Sequence, residues 1–220
     1  MYNTIVFDMD MTLCYPTKCF DEVFFEVFKA PIDSCQPEWF EKITINGVCT
    51  GKEAVDHCFP AYSAAEKDRL FQELSHQWAS HQCLYEGVLS LPKKLKDKYG
   101  CRVGIMTNGP SAFQHAILEH LMLKDVFDFC YASGDIGVGI RKPSESLISL
   151  LQEKEGIIPD KALFVGDSFN KDIKPAIKCG WSGLLVSPTN SSVQRFTFAD
   201  VQEAIQSGSC LEINWMELNN

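Results

Sequence analysis

Short runs of consecutive apolar residues recur along the chain, and each run ends at polar or glycine residues. Continuous rather than alternating apolarity is typical of strands that are buried on both faces of a parallel sheet. The runs are Ile5–Phe7, Val103–Met106, Phe129–Ala132, Ala162–Val165 and Gly183–Val186. They predict five strands of one sheet.

Segments whose apolar residues repeat at helical spacing lie between these runs. Apolar side chains repeat at helical spacing near residues 89–99, 113–121, 147–151 and 173–177, as on the buried face of an amphipathic helix. Glycine follows three of these segments, where it suits the first residue after a helix: Gly100, Gly156 and Gly180. Strands that alternate with helices predict an α/β fold with a Rossmann-like parallel sheet core flanked by helices.

The interval between the first predicted strand and the helix predicted near residue 89 does not follow this alternation of strands and helices. It is longer than a strand-to-strand crossover requires, and it carries an apolar stripe at Glu22–Lys29 and a capping box at Ser63–Glu66. We therefore predict a catalytic core formed by residues 1–13 and 85–220, with an inserted α-helical cap domain at residues 14–84. A helical embellishment packed on the sheet edge is the alternative.

Composition and charge narrow the possible functions. The chain has 220 residues, of which 45% are apolar, and its net charge is −9. This apolar content is enough for a folded core and argues against disorder. The negative charge argues against nucleic acid or an anionic membrane as the main partner. An acidic protein can bind a phosphate ester only if a cation shares the pocket.

The cysteines and the first residues of the chain indicate in which compartment of the cell the protein is expected. The ten cysteines include no CxxC pair, as expected of thiols that stay reduced in a cytosol. The apolar run after Met1–Thr4 ends at Asp8, so it is too short for a secretion signal. We expect a cytoplasmic protein.

Acidic residues directly follow the first predicted strand in the motif Asp8-Met9-Asp10-Met11-Thr12. Two carboxylates so close together repel each other unless a cation or a proton intervenes, and Mg²⁺ prefers such oxygen ligands. A calcium loop is excluded, because position six of the loop is leucine and position twelve is cysteine. A plain acidic turn remains an alternative.

Three further polar groups follow later strands, and ligands bind at the carboxyl edge of open α/β sheets. Thr107-Asn108 offers a hydroxyl and an amide, Lys142 offers an ammonium group, and Gly166-Asp167 is followed by Asp172. Taken singly, each has an ordinary explanation: a turn, a surface lysine or an acidic helix start.

Taken together and in this order, the four groups resemble the motifs of the haloacid dehalogenase superfamily, over nearly the whole chain. The resemblance implies that Asp8 is a nucleophile, that Asp10 is a general acid and base, and that Thr12 steadies the loop after Asp10. Met11 departs from the pattern, because many relatives carry glycine there, and this puts the shape of the loop in question.

The resemblance also implies ligands for a substrate phosphate and for a metal ion. Met9, Thr107, Asn108 and Lys142 would contact the phosphate. Mg²⁺ would be bound by a side-chain oxygen of Asp8, the backbone carbonyl of Asp10 and a carboxylate oxygen of Asp167, and Asp172 would support that site.

The function that the resemblance implies is a Mg²⁺-dependent phosphatase acting through a phosphoaspartyl intermediate on a small phosphorylated metabolite, with a nucleoside monophosphate or a sugar phosphate favoured. The alternatives are a phosphomutase, a metal-independent dehalogenase, and a non-catalytic phospho-receiver or binding protein. The insert would close over the site as a lid, or else serve as a rigid platform for a partner. The sequence does not decide between a monomer and a homodimer.

Overall fold

The structure is a computed structural model that describes residues 2–32, 55–56 and 58–186. Its strands are β1 (Thr4–Phe7), β2 (Cys14–Pro16), β3 (Gln82–Leu84), β4 (Arg102–Thr107), β5 (Phe129–Ala132), β6 (Ala162–Gly166) and β7 (Ser182–Leu185). Five of them form one parallel sheet in the order β5-β4-β1-β6-β7. This confirms the predicted fold class and all five predicted strands.

The α-helices whose full extent is described are α1 (Phe20–Phe28), α2 (Ala64–Ser80), α3 (Leu91–Tyr99), α4 (Ser111–His120), α5 (Glu145–Glu155) and α6 (Lys174–Lys178). A π-helical turn at Phe169–Ile173 leads into α6. Helices α3 and α5 end at Gly100 and Gly156, which have left-handed backbones as predicted. The capping box of α2 is also confirmed, because Ser63 and Glu66 bond to each other's backbone N–H groups.

Apolar side chains of the central strand alternate between two cores. Ile5 and Phe7 face a cluster that includes Leu95 of α3 and Ile117 of α4. Val6 faces the opposite cluster, whose members include Leu147 of α5 and Ala176 of α6. The sheet is therefore buried on both faces between layers of helices, which explains why its strands read as continuous apolar runs.

The inserted segment begins and ends in a two-stranded antiparallel ribbon, in which β2 pairs with β3. Helices α1 and α2 share an apolar cluster that extends to Phe113 of α4. The ring of Phe71 on α2 lies 5.4 Å from that of Phe113, measured between centroids. The insert is thus anchored on α4 as well as through the ribbon, and the division of the chain at residues 14 and 84 stays a prediction.

Parts of the predicted domains, residues 33–54, 57 and 187–220, lie outside the described residues. Within the described part of the chain, no helix combines the length and apolarity that crossing a membrane requires.

Candidate active site

The carboxyl ends of the three central strands meet around one pocket of about 430 Å³. Strand β1 leads to Asp8 and Asp10, β4 to Asn108, and β6 to Asp167. The chain runs from β1 towards one edge of the sheet, through β4 to β5, and then crosses to β6 on the other side of β1. Where the strand order reverses direction in this way, a crevice forms at the carboxyl ends of the strands, and open α/β sheets bind their ligands there. The lining residues are Asp8, Asp10, Met11, Asn108, Arg141, Lys142, Asp167, Ser168, Lys171 and Asp172.

Lys142 occupies the centre of this pocket, although it comes from the loop between β5 and α5. Its Nζ lies 2.5 Å from Asp8 Oδ1 and 2.7 Å from Asp172 Oδ1, and it donates to the backbone carbonyl of Met106 at 3.1 Å. Lys142, Asp8 and Asp172 are all buried. Burial disfavours the ammonium ion, but the attraction of the two carboxylates outweighs it and raises the pKa of Lys142.

Asn108 fixes the backbone of Lys142. The Asn108 Nδ2 group donates to the Lys142 carbonyl at 3.0 Å, and the Lys142 N–H donates to Asn108 Oδ1 at 2.9 Å. These two bonds use the amide oxygen and one of the two amide hydrogens of Asn108. The amide therefore positions the lysine, a role that the sequence did not indicate.

The loop after β1 is organised around one carbonyl group. Met9 accepts backbone hydrogen bonds from Thr12, Leu13 and Cys14, at 3.2, 2.8 and 3.2 Å. The Met9 side chain is buried in the core, so a phosphate contact from Met9 would come from its backbone. Thr12 donates its hydroxyl hydrogen to Asp8 Oδ2 at 3.2 Å, and so steadies Asp8 itself.

The side chain of Asp10 has different partners. Thr107 Oγ1 lies 3.2 Å from Asp10 Oδ2 and 3.3 Å from Gln114 Oε1. Gln114, near the start of α4, also donates from Nε2 to the backbone carbonyl of Asn108 at 3.1 Å. Sequence reasoning missed Gln114; the available signal was a polar residue beside Phe113 on a helix face that is otherwise apolar.

Burial controls the ionisation of the two catalytic candidates. Burial is the largest of the causes that raise the pKa of Asp8 to about 7. The attraction of the Lys142 ammonium lowers this pKa, and the negative charges of Asp172 and Asp10 raise it. Burial also raises the pKa of Asp10, although the hydrogen bond with Thr107 opposes the rise. Burial thus raises the pKa of both aspartates of the motif.

Carboxylates also gather where a metal ion would bind. Asp8, Asp167 and Asp172 each present an oxygen, and these oxygens lie within 4.8 Å of one another. Burial and the like charge of Asp172 raise the pKa of Asp167. Clustered anionic oxygens are the donors that Mg²⁺ prefers, and a bound cation would hold them ionised. The residues therefore fit a magnesium ion.

Gly166 leaves room for the side chain of Asp172, one of the clustered carboxylates. A Cβ atom at this position would lie 2.5 Å from Asp172 Oδ2 and 2.6 Å from Asp172 Cβ and Cγ. Asp172 Oδ2 also accepts the backbone N–H of Ser168 at 3.0 Å. The backbone of Gly166 lies outside the left-handed region, so glycine is required here for the space it leaves and not for its backbone freedom.

The structure thus brings together every acid, donor and cation that the motifs predicted, and their individual roles stay predictions. It adds Gln114 beneath the site, and Arg141, Ser168 and Lys171 at its wall. Arg141 and Lys171 stand directly before two predicted site residues, yet a lysine or arginine at a loop is too common to be selected from sequence alone.

Comparison with known proteins agrees with this geometry. Over 96 residues the chain is 35% identical to a pyrimidine 5'-nucleotidase, YjjG, of Escherichia coli K12, a match that covers 43% of this chain and 40% of the relative. Over 136 residues it is 32% identical to phosphoglycolate phosphatase of the same organism, covering 59% of this chain and 51% of the relative. The chain thus spans about half the length of the curated relatives it matches.

A solved structure and a family model extend the comparison. A HAD family enzyme from Bacteroides thetaiotaomicron, in complex with magnesium and inorganic phosphate, superposes with a TM-score of 0.65 at 20% identity, covering 87% of this chain and 96% of that one. At this identity the likeness shows the fold. The family model for haloacid dehalogenase-like hydrolases matches residues 2–180. The chain therefore belongs to the haloacid dehalogenase-like hydrolase family.

Proposed function

We propose that this protein is a magnesium-dependent phosphatase that hydrolyses a small phosphorylated metabolite through a phosphoaspartyl intermediate on Asp8. One observation carries the proposal: the two aspartates after β1 have separate partners. Asp8 lies against Lys142 within the carboxylate cluster, whereas the Asp10 side chain is hydrogen-bonded to Thr107. A nucleophile and an independent acid and base are the two groups that this chemistry requires.

Asp8 is positioned to attack phosphorus. Lys142 holds its Oδ1 and Thr12 holds its Oδ2, so the carboxylate is fixed on both sides. Attack would form a bond between a carboxylate oxygen of Asp8 and phosphorus while the bond from phosphorus to the ester oxygen breaks. The Lys142 ammonium would stabilise the charge on the transferring phosphoryl group.

Asp10 would provide the proton for the leaving group. Its raised pKa favours the protonated form in which the reaction begins, and the leaving oxygen takes that proton. The carboxylate then accepts a proton from the water that attacks the phosphorus of the intermediate, which releases inorganic phosphate and frees Asp8. The net reaction consumes one water and leaves both aspartates as they began.

Asp8 and Asp167 would hold the magnesium ion with the backbone carbonyl of Asp10, and Asp172 would support them. When bound, the ion supplies positive charge that neutralises the phosphate and the carboxylates. The lining of the pocket supports this requirement, because its four aspartates outnumber its three cations, Arg141, Lys142 and Lys171, of which only Lys142 is buried.

The pocket suits a small substrate. Its volume of about 430 Å³ lies within the range of small-molecule sites, and a nucleoside monophosphate or a sugar phosphate fits the proposal. The insert at residues 14–84 would restrict the leaving group by closing towards the pocket, since it joins the core directly after the catalytic loop, where β2 pairs with β3.

The direct test is a hydrolysis screen of the purified chain over phosphorylated metabolites, with Mg²⁺ present or chelated. We expect release of inorganic phosphate from at least one nucleoside monophosphate or sugar phosphate, with Mg²⁺ required. Asp8→Asn should reduce turnover by more than about a thousandfold, because an amide is a poor nucleophile.

Two results would contradict this proposal: full activity in excess chelator, or substantial turnover by pure Asp8→Asn protein. Conversion of a sugar phosphate to an isomer without phosphate release would instead indicate a phosphomutase.

A further inference from the structure

The loop after β1 holds Met11 in a backbone conformation that its side chain disfavours. The φ angle of Met11 is 61°, in the left-handed region that glycine adopts freely and other residues adopt at a cost. The loop is fixed in this shape by a backbone hydrogen bond from the Met11 N–H to the carbonyl of Cys14, at 2.8 Å. A residue kept in a strained conformation beside a pocket is a reason to look for a function of its side chain.

Met11 also stands out chemically. It lines the pocket that contains Asp8 and Asp10, and it is 37% exposed. Among the described residues that line this pocket, Met11 alone has an apolar side chain. The other described lining groups can bind phosphate, metal or further charge, so Met11 is the one among them that is suited to contact a carbon skeleton.

The position of Met11 relative to the reaction follows from its neighbour in sequence. In the proposed function, Asp10 gives its proton to the ester oxygen, so the leaving group begins within hydrogen-bonding distance of Asp10. Met11 is the next residue and lines the same pocket. Its flexible thioether side chain can adapt to an apolar or aromatic surface.

We propose that Met11 determines specificity by packing against an apolar or aromatic face of the leaving group. This inference rests on the proposed phosphatase function and adds a substrate class to it. The favoured substrates are phosphate esters whose leaving group presents carbon surface next to the ester oxygen. Small, fully ionic phosphate esters gain nothing from Met11.

The test compares Met11→Gly, Met11→Asn and Met11→Leu on two substrates, 2-naphthyl phosphate and phosphoglycolate. Glycine and asparagine tolerate the left-handed backbone but lack the apolar side chain. We expect the preference for 2-naphthyl phosphate, taken as the ratio of the two kcat/KM values, to fall about tenfold in both variants. Leucine should retain most of the preference.

The chain contains a matched control. Met122 also has a left-handed backbone, with φ of 56°, is 56% exposed, and lies beyond the end of α4, outside the pocket lining. Met122→Gly makes the same chemical change at the same backbone conformation, so it should leave the substrate preference unchanged. Thermal unfolding of both glycine variants separates an effect on stability from one on specificity.

The possible results are distinguishable. If the wild-type chain hydrolyses neither these nor other phosphate esters with Mg²⁺, the proposed function fails and the role of Met11 fails with it. If the wild-type chain is active but Met11→Gly and Met11→Asn lower both kcat/KM values equally, Met11 only shapes the loop, and the specificity role alone is overturned.

Discussion

Replacement of Gly166 by alanine tests the packing beneath the carboxylate cluster. The new Cβ would lie 2.5 Å from Asp172 Oδ2, whereas ordinary contact between such atoms begins near ~3.4 Å. About 0.9 Å must therefore be gained by movement of Asp172 or of the chain. Gly166 does not have a left-handed backbone, so alanine introduces a steric clash and no backbone strain.

The neighbours of Asp172 determine the size of the effect. Its side chain is held by Lys142 Nζ at 2.7 Å and by the Ser168 N–H at 3.0 Å. If the π-helical turn shifts and these contacts survive, we expect overpacking to reduce the free energy of unfolding by about 1–3 kcal/mol. If the ion pair with Lys142 breaks, the loss rises to about 3–5 kcal/mol.

Thermal unfolding measures the loss of stability, and titration with Mg²⁺ measures the change in metal affinity. Gly166→Ala should lower Tm by roughly 2–4 °C for each kcal/mol lost, and it should weaken Mg²⁺ binding, because Asp172 belongs to the cluster of possible metal ligands. Gly100→Ala is the control: its backbone is left-handed and a Cβ there meets no atom within 4 Å, so it should lower Tm without changing Mg²⁺ affinity. A Gly166→Ala protein with wild-type Tm and wild-type Mg²⁺ affinity would refute the steric reasoning.

Three further outcomes follow from the described contacts. Gln114→Leu should lower kcat about tenfold, since Thr107 loses an acceptor beneath the site; an unchanged kcat would exclude a positioning role for Gln114. Asp135→Asn should destabilise the protein at neutral pH. Burial favours a higher pKa of Asp135, but hydrogen bonds from His115 and neighbouring groups lower it, so the stabilisation is complete above the unfolded-state pKa and is lost at lower pH. The difference in Tm from wild type should therefore shrink below pH ~4, and a constant difference would contradict this account. Mg²⁺ at a hundred times its Kd should raise the free energy of unfolding by about 2.7 kcal/mol, and an unchanged Tm would argue against a metal site at Asp8.

The sequence predicted the sheet well because the burial of a strand determines its residue types over a few consecutive positions. The central strand β1 is covered by helices on both faces, so residues 5–7 are apolar without interruption. Gly100 and Gly156 likewise mark helix ends through a local backbone requirement. These features depend on a few consecutive residues and can be recognised without knowledge of the tertiary structure.

The ribbon at the base of the insert could not be recognised in this way. Strands Cys14–Pro16 and Gln82–Leu84 are three residues each and pair across the whole insert. Segments this short show no usable alternation of apolar and polar residues. Their pairing is determined by the core, which places both ends of the insert at the same edge.

The different surroundings of Asp8 and Asp10 show most clearly what the motif leaves out. The two residues have the same side chain and lie two positions apart, on either side of Met9. Lys142, the cationic partner of Asp8, is 134 positions away, and Thr107, which is hydrogen-bonded to Asp10, is 97 positions away. The motif therefore places two acids at the pocket, but the separate partners on which their proposed roles rest, Lys142 and Thr107, are contributed by other parts of the fold.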